Sequence, residues 1–212
     1  FTKVFIHFYT YLLVGLSIMP QVYIFYTSFK KVNGTVFIPG YSFASYTSAF
    51  SKVGRSISNT LIIPGLSLIV IVFFAALIAY ITVRRRNIFT GIVDTISMVP
   101  YIVPGSVVGI TLLIAFNKPP ILLSGTMLIM IIGLVLRRLP YTIRSSVAIL
   151  QQIPYNIEEA ALGLGSSKTK TFFKITMPMM AAGLISGAIL SWVTMISELS
   201  TAILLYVGRT KT

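Results

Sequence analysis

The sequence predicts an all-α fold, a polytopic membrane helix bundle of about five spans, from three observations. Of the 212 residues, 56% are hydrophobic and 10% are charged, whereas soluble domains carry about 25% charged residues. Five apolar stretches approach or exceed the roughly 20 residues that cross a bilayer. Clusters of Lys and Arg follow several of these stretches, a distribution typical of membrane proteins.

The five predicted spans end at basic clusters or turn residues. They run from about Val4 to Phe29, Ile57 to Val83, Ile92 to Phe116, Ile121 to Leu136 and Met179 to Val207. The fourth span is short and is closed by Arg137-Arg138, whose side chains are expected to snorkel to the interface. We interpret residues 1–212 as a single transmembrane domain. Because the chain begins with Phe and the span count is odd, a longer natural chain with a sixth span is expected.

The basic clusters also predict orientation. Arg84-Arg85-Arg86 and a loop of about 139–178 lie on one side if spans three and four form a hairpin, and that side is predicted to be cytoplasmic. A loop of about 30–56 is then external, and its turn residues predict irregular structure. The net charge is +13, but the basic residues flank apolar segments instead of lining one face, so lipid rather than nucleic acid is the expected contact.

The composition argues against catalysis and metal binding. The chain has no Cys, one His and four acidic residues, too few for a metal site or an acid–base–nucleophile constellation. The segment Gly163 to Thr169 is similar to a phosphate-binding loop, but Leu162 and Ser167 stand where that pattern requires glycine. The chain is therefore predicted to bind no cofactor and to take its energy from a partner.

The predicted cytoplasmic loop contains a helix–turn–helix. Asn156 is expected to be the N-cap of its first helix, with Glu159 at the third helical position completing a capping box. Glu158 and Glu159 lie in the first turn, where the helix dipole favours negative charge. Gly165 is a better candidate than Gly163 for the left-handed residue that ends the helix. Either of the following two serines can cap the second helix.

This loop resembles the signature of permease subunits from bacterial binding-protein-dependent ABC importers. The pattern Glu-Ala-Ala-x3-Gly-x9-Ile-x-Leu-Pro is matched in register, with Met177 in place of Leu, by Glu159, Ala160, Ala161, Gly165, Ile175 and Pro178. The resemblance implies a type I importer permease fold whose loop docks on a cytoplasmic ATPase and transmits its closure to the spans. The ATPase-coupling residues expected on this basis are Glu158, Glu159, Ala160, Ala161, Gly163, Gly165, Ile175 and Pro178.

The same resemblance implies the partners of the chain. They are a cytoplasmic ATPase dimer that binds ATP and Mg²⁺, a second permease half (identical, homologous or fused) and an extracytoplasmic solute-binding protein. The chain would then be a non-catalytic, multi-pass subunit of the bacterial inner membrane that forms the solute pathway.

Two features of the predicted spans are candidates for that pathway. Pro100 and Pro104, with Gly105, bend or break span three, and irregular backbone at membrane depth is tolerated only against protein or a watery cavity. Pathway lining and a structural kink both remain open. Glu198, deep in span five, is a candidate for the pathway or gate, or else pairs with Arg209 near the outer end.

Asp94, near the triple arginine, is interpreted as half of a structural ion pair. The segments Arg138-Leu-Pro-Tyr141-Thr-Ile-Arg144 and Glu198-Leu-Ser200 resemble the ferric-iron branch of the permeases, so ferric iron is the expected substrate. Importers of polyamine, thiamine or another small solute are similar enough to remain alternatives. Alternatives of another class are a secondary transporter, which would need inverted repeats, and a channel.

Overall fold

A computed structural model describes residues 2–207. The observed structure is predominantly helical, which confirms the predicted all-α membrane class, with one added β-hairpin. The strands are β1 (Lys30–Asn33) and β2 (Val36–Tyr41). The helices are α1 (Thr2–Ser28), α2 (Ala44–Arg84), α3 (Ile88–Ile102), α4 (Gly105–Ala115), α5 (Met127–Gln152), α6 (Asn156–Gly163), α7 (Lys168–Thr171), a π-helical segment (Phe172–Thr176), α8 (Met177–Met179), α9 (Ala181–Ile196) and α10 (Ala202–Leu205).

The first compact unit is Phe1–Gly54. Most of the loop of about 30–56, predicted to be irregular, is regular structure: a β-hairpin and the start of α2. Strands β1 and β2 pair antiparallel, with Asn33 opposite Val36. The prediction of turns and irregular structure over about 30–56 was wrong because Asn-Gly between two apolar segments is a strong hairpin signal. It was also wrong because α2 already begins at Ala44. The apolar side chains of α1 are exposed.

The second unit is Arg55–Thr212, and its residues 55–207 contain two apolar clusters. One surrounds Ile71 of α2 and Ile129 of α5, and it includes residues of α4, α9 and α10. The other joins Ala79 of α2 to Leu150 at the end of α5 and Phe172 of the π-helical segment. The first cluster therefore lies beside the helix breaks described below, and the second packs against residues of the predicted cytoplasmic loop, among them Ile157 and Phe172.

The predicted break in span three is confirmed. Helices α3 and α4 are bent by 107°, with Val103 and Pro104 in extended conformations between them. The residue before a proline is sterically disfavoured in the α region, which explains why Val103 ends the helix. Pro100, by contrast, lies inside α3. Of the two prolines, Pro104 therefore marks the break.

The predicted limits of spans four and five were wrong. Helix α5 begins at Met127 and continues through Arg137-Arg138 to Gln152, because arginine is a good helix former and a charge does not end a helix. Span five is α9, which ends at Ile196. Within residues 2–207, two helices are long and apolar enough to cross a membrane, or up to four if each bent pair is one span.

Helices α5 and α9 pack closely through small and polar side chains. Gly187 of α9 lies against Thr142 of α5, and the Thr142 hydroxyl is 2.9 Å from that of Ser191. Ser191 also donates to the carbonyl of Arg138 at 3.1 Å. Small residues at such contacts are typical of membrane helix packing. This packing fixes the end of α9 beside the middle of α5.

Candidate coupling loop and buried ionic cluster

Helix α6 begins at Asn156, the residue predicted to be its cap. Asn156 is the first helical residue, and Tyr155, already in the right-handed helical region, precedes it without a side-chain cap. The predicted N-cap at Asn156 was therefore wrong. The carbonyl of Tyr155 accepts from the backbone of Glu158 and Glu159, at 2.9 and 3.1 Å. No side chain caps this end of α6, so the predicted capping box does not form.

The predicted end of α6 is confirmed in detail. Gly165 has φ +86°, a left-handed conformation that glycine adopts without strain. Its N–H donates to the carbonyl of Leu162 at 2.9 Å, and that of Ser166 donates to Ala161 at 3.0 Å. These two bonds form a Schellman motif. Ser167 then caps α7 by accepting from the backbone of Lys170 at 3.3 Å.

The predicted coupling residues divide between an outward and an inward face. Those exposed are Glu159, Ala160, Gly163, Gly165 and Pro178. Glu158 and Ala161 are buried within the chain, and Ile175 is half-buried in the π-helical segment. Sequence reasoning missed Leu164, an apolar residue that is 91% exposed beside the outward face. An apolar residue at the tip of a short helix is a signal that could have identified it.

Glu198 lies in the turn that follows α9, and not within a span helix as predicted. Its side chain is 3% exposed, and its Oε1 accepts from the guanidinium of Arg137 at 3.1 Å. Its Oε2 is paired with Arg138. The alternative partner, Arg209, lies outside the described residues. One carboxylate therefore faces two arginines from the middle of α5, which leaves this cluster with a net positive charge.

The break between α3 and α4 meets the same cluster at Gly105. The carbonyl of Gly105 accepts from the Thr201 hydroxyl at 3.2 Å, and that hydroxyl accepts from Arg137 at 3.3 Å. A Cβ added at Gly105 would collide with the Arg137 guanidinium and with Thr201. Two interruptions of helical structure and the arginine pair of α5 thus converge on Glu198. We call Gly105, Arg137, Arg138, Glu198 and Thr201 the ionic cluster.

A cavity of about 320 Å³ adjoins this cluster. Its walls come from α2, α5, α10 and the turn after α9, and among the described residues that line it Glu198 carries the only charge. Representative lining residues are Thr60, Pro64, Met130, Leu134, Glu198 and Tyr206. The cavity is therefore mainly apolar with one carboxylate at its wall, and that carboxylate is already engaged by arginine.

The remaining candidates lie away from the cavity. Pro104 is exposed and Pro100 is half-buried. Asp94 forms an ion pair, as predicted, but its partner is Arg144 of α5 at 3.2 Å. Within residues 2–207, no group of three or more His, Cys, Asp or Glu is placed to hold a metal ion.

Sequence reasoning missed the role of Arg137 and Arg138 because it placed them at a membrane interface. Two signals could have corrected this interpretation. The proposed fourth span was too short for a bilayer, and the single acid in the last span required a buried counter-charge. A helix that continues past the arginines satisfies both requirements.

A family model described as binding-protein-dependent transport system inner membrane component matches residues 69–212. The chain belongs to this family. As a member of the binding-protein-dependent transport family, it is a multi-pass membrane protein and a component of a transport system. The match includes the predicted coupling loop and the ionic cluster.

Individual relatives of the family point to several substrates. The putative ferric transport system permease protein FbpB 1 of Haemophilus influenzae is 34% identical over 89% of this chain and 30% of that protein. The ferric transport system permease protein FbpB of Actinobacillus pleuropneumoniae is 31% identical over 89% of this chain and 28% of that protein. The molybdate/tungstate transport system permease protein WtpB of Pyrococcus abyssi is 29% identical over 71% of this chain and 59% of that protein. The chain thus spans less than a third of the two ferric relatives.

Proposed function

We propose that this chain is a transmembrane subunit of an ATP-driven importer of the bacterial inner membrane, that it forms part of the solute pathway, and that ferric iron is its substrate. Its partners would be a cytoplasmic ATPase dimer, a second permease half and an extracytoplasmic solute-binding protein. The observation that carries the proposal is the family match over residues 69–212. The chain itself would contribute no catalytic group, and ATP and Mg²⁺ would bind to the partner ATPase.

The outward face of α6 supports the ATPase contact. Glu159, Ala160 and Leu164 are exposed on a short helix that is closed by a rigid Schellman turn. Alanine lets another surface approach closely, and an exposed leucine favours an apolar groove. In this proposal α6 enters a groove of the ATPase, and the closure of the ATPase pair on ATP displaces it.

A substitution on the outward face tests this contact. Ala160→Arg places a long charged side chain in the proposed interface, so co-purification of the ATPase with the permease should be lost. Gln152→Arg adds the same charge at an exposed site just before the loop and should leave the complex intact. Retention of the ATPase by the Ala160 variant, or the absence of any ATPase from the wild-type preparation, would contradict the proposal.

Ferric iron is supported by the two relatives that match over 89% of the chain. Relatives named for molybdate/tungstate match over 71% of the chain. Relatives named for sulfate match over 61% to 84% of it, at 25–26% identity. Uptake of radiolabelled ferric iron by vesicles containing the whole transporter, its binding protein and internal ATP should exceed uptake of molybdate or sulfate. Preference for either oxyanion would overturn the assignment of iron while leaving the importer function intact.

A further inference from the structure

The buried face of α6 is bonded to the last residue of α2. The Glu158 carboxylate accepts from Arg84 Nε at 2.8 Å and from the Tyr80 hydroxyl at 3.0 Å. Arg84 also donates to the backbone carbonyl of Ile153 at 2.8 Å. Both carboxylate oxygens therefore have donors, and the guanidinium is held at two points.

This network contacts the coupling loop on both sides of its turn. The Arg84 guanidinium lies over the ring of Tyr155 at 5.5 Å from its centroid. The Tyr80 ring packs edge-on against Phe172 of the π-helical segment, with the centroids 4.8 Å apart. The end of α2 is thus attached to the segment before α6, to α6 itself and to the segment after the turn.

The ion pair between Arg84 and Glu158 is buried, so each charge depends on the other. The side chains of Arg84 and Glu158 are 9% and 2% exposed. A buried ion pair adds little net stability over apolar packing, but removal of one partner leaves the other charge uncompensated. Such a pair is therefore suited to fixing one relative position of two elements.

We propose that Arg84, Tyr80 and Glu158 form a strut that transmits displacement of α6 to α2. The inference rests on the proposed function, and it makes Glu158 a positioning residue rather than part of the surface that meets the ATPase. Helix α2 is continuous from the strut to the cavity beside the ionic cluster, where Thr60 and Pro64 form part of the wall. From Pro64 to Arg84 it extends about 30 Å, at about 1.5 Å per residue. A movement of the loop would therefore reach the cavity wall through one helix.

The decisive measurement is the amount of solute transported per ATP hydrolysed, because loss of folding would lower both rates together. In vesicles containing the whole transporter and its binding protein, with radiolabelled ferric iron as the probe, Glu158→Gln and Arg84→Gln should lower this ratio about tenfold while ATP hydrolysis continues. Asp94→Asn, which removes the more exposed ion pair between α3 and α5, is the matched control and should leave the ratio unchanged.

Charge reversal provides a rescue. Arg84→Glu and Glu158→Arg should each uncouple transport from hydrolysis, and the double variant should recover most of the wild-type ratio. A wild-type ratio in Glu158→Gln, or equal defects in the single and double reversals, would overturn the strut. A wild-type complex without ATP-driven uptake of ferric iron, molybdate or sulfate would instead overturn the proposed function, and the strut with it.

A covalent cross-link between positions 84 and 158 tests whether the physical connection, rather than the charge, couples α6 to α2. The chain contains no cysteine, so Arg84→Cys with Glu158→Cys introduces a single pair of thiols. A short bifunctional thiol reagent can join them, and the partner subunits used should lack reactive thiols. Before cross-linking the ratio should be low, and after cross-linking it should rise several-fold. An unchanged ratio after complete cross-linking would overturn the inference.

Discussion

Two buried glutamates each bind a long helix: Glu158 binds α2, and Glu198 binds α5. The two sites differ in their balance of charge. Glu158 of α6 faces one arginine and one tyrosine, and Arg84 also binds a backbone carbonyl. Glu198, after α9, faces two arginines, and the Nε atoms of Arg137 and Arg138 are buried without hydrogen-bond partners. The first site is a neutral, satisfied joint, whereas the second has a net positive charge and lies beside a cavity.

This difference in charge balance suggests different roles for the two sites. A neutral pair with its donors satisfied has no electrostatic reason to rearrange, which suits the strut proposed above. A cluster with one more arginine than carboxylate is only partly compensated, and a partly satisfied polar network is costly in a low-dielectric interior. The ionic cluster is therefore the region where a change in charge should have the larger effect.

The strongest test of this comparison is Glu198→Gln. The amide retains the shape of the side chain but leaves two buried arginines without a counter-charge, and the expected loss is about 3–5 kcal/mol in the free energy of unfolding. Chemical unfolding of the purified protein in detergent measures it. Glu159→Gln, at an exposed site on α6, should stay within about 0.5 kcal/mol of wild type.

The same substitution at Glu158 sharpens the comparison. It should cost less than Glu198→Gln, because it leaves only one arginine, and Arg84 keeps its bond to the Ile153 carbonyl. Equal losses at the two positions would mean that the number of facing arginines does not distinguish these sites.

The second prediction concerns the close approach of the broken helix to the ionic cluster. Gly105→Ala adds a methyl group where the Arg137 guanidinium and the Thr201 side chain already lie, and overpacking of this kind costs about 1–3 kcal/mol. The midpoint of chemical unfolding should fall accordingly. Gly91→Ala in α3, where an added Cβ meets nothing within 4 Å, is the control and should not destabilise the protein.

The comparison also indicates what the sequence could and could not predict. The break before Pro104 and the left-handed Gly165 were predictable because each follows from local backbone sterics. The direction in which Glu158 points was not, since two adjacent acids in a first turn satisfy the helix dipole equally well. Only the positions of Tyr80 and Arg84 near the end of α2, 78 and 74 residues earlier in the chain, distinguish Glu158 from Glu159.

The ionic cluster was harder to predict for a related reason. Hydropathy identified Glu198 as an unusual acid but placed it inside a helix, because the apolar run continues to Val207 although α9 ends at Ile196. Arg137 and Arg138 were interpreted as an interfacial flank from their sequence neighbours alone. Long-range pairing of charges leaves no periodic signal in a single sequence, so these contacts required the three-dimensional structure.

The third prediction addresses the turn that carries the outward face of α6. Gly165→Ala forces a Cβ into a left-handed conformation, at a cost of about 1–2 kcal/mol. Because an added Cβ meets no other atom there, the cost is conformational and should appear as faster amide hydrogen exchange within the loop. Gly163→Ala lies in the helix and should stabilise α6 by about 0.5–1 kcal/mol. Loss of protection in the Gly163 variant as well would mean that the Schellman turn is not what orders this loop.

The smallest effect is expected at a third ion pair, which is partly exposed. It tests whether burial or the pairing of charges sets the loss of stability at Glu158 and Glu198. Arg144 and Asp94 join α5 to α3 at 3.2 Å, but their side chains are 51% and 32% exposed. Water screens such a pair, so Asp94→Asn should change the free energy of unfolding by about 0–1 kcal/mol, and raising the salt concentration should shrink the difference. A loss as large as that at Glu198 would show that pairing between helices, rather than exclusion of water, sets the energetic weight of these glutamate and aspartate contacts.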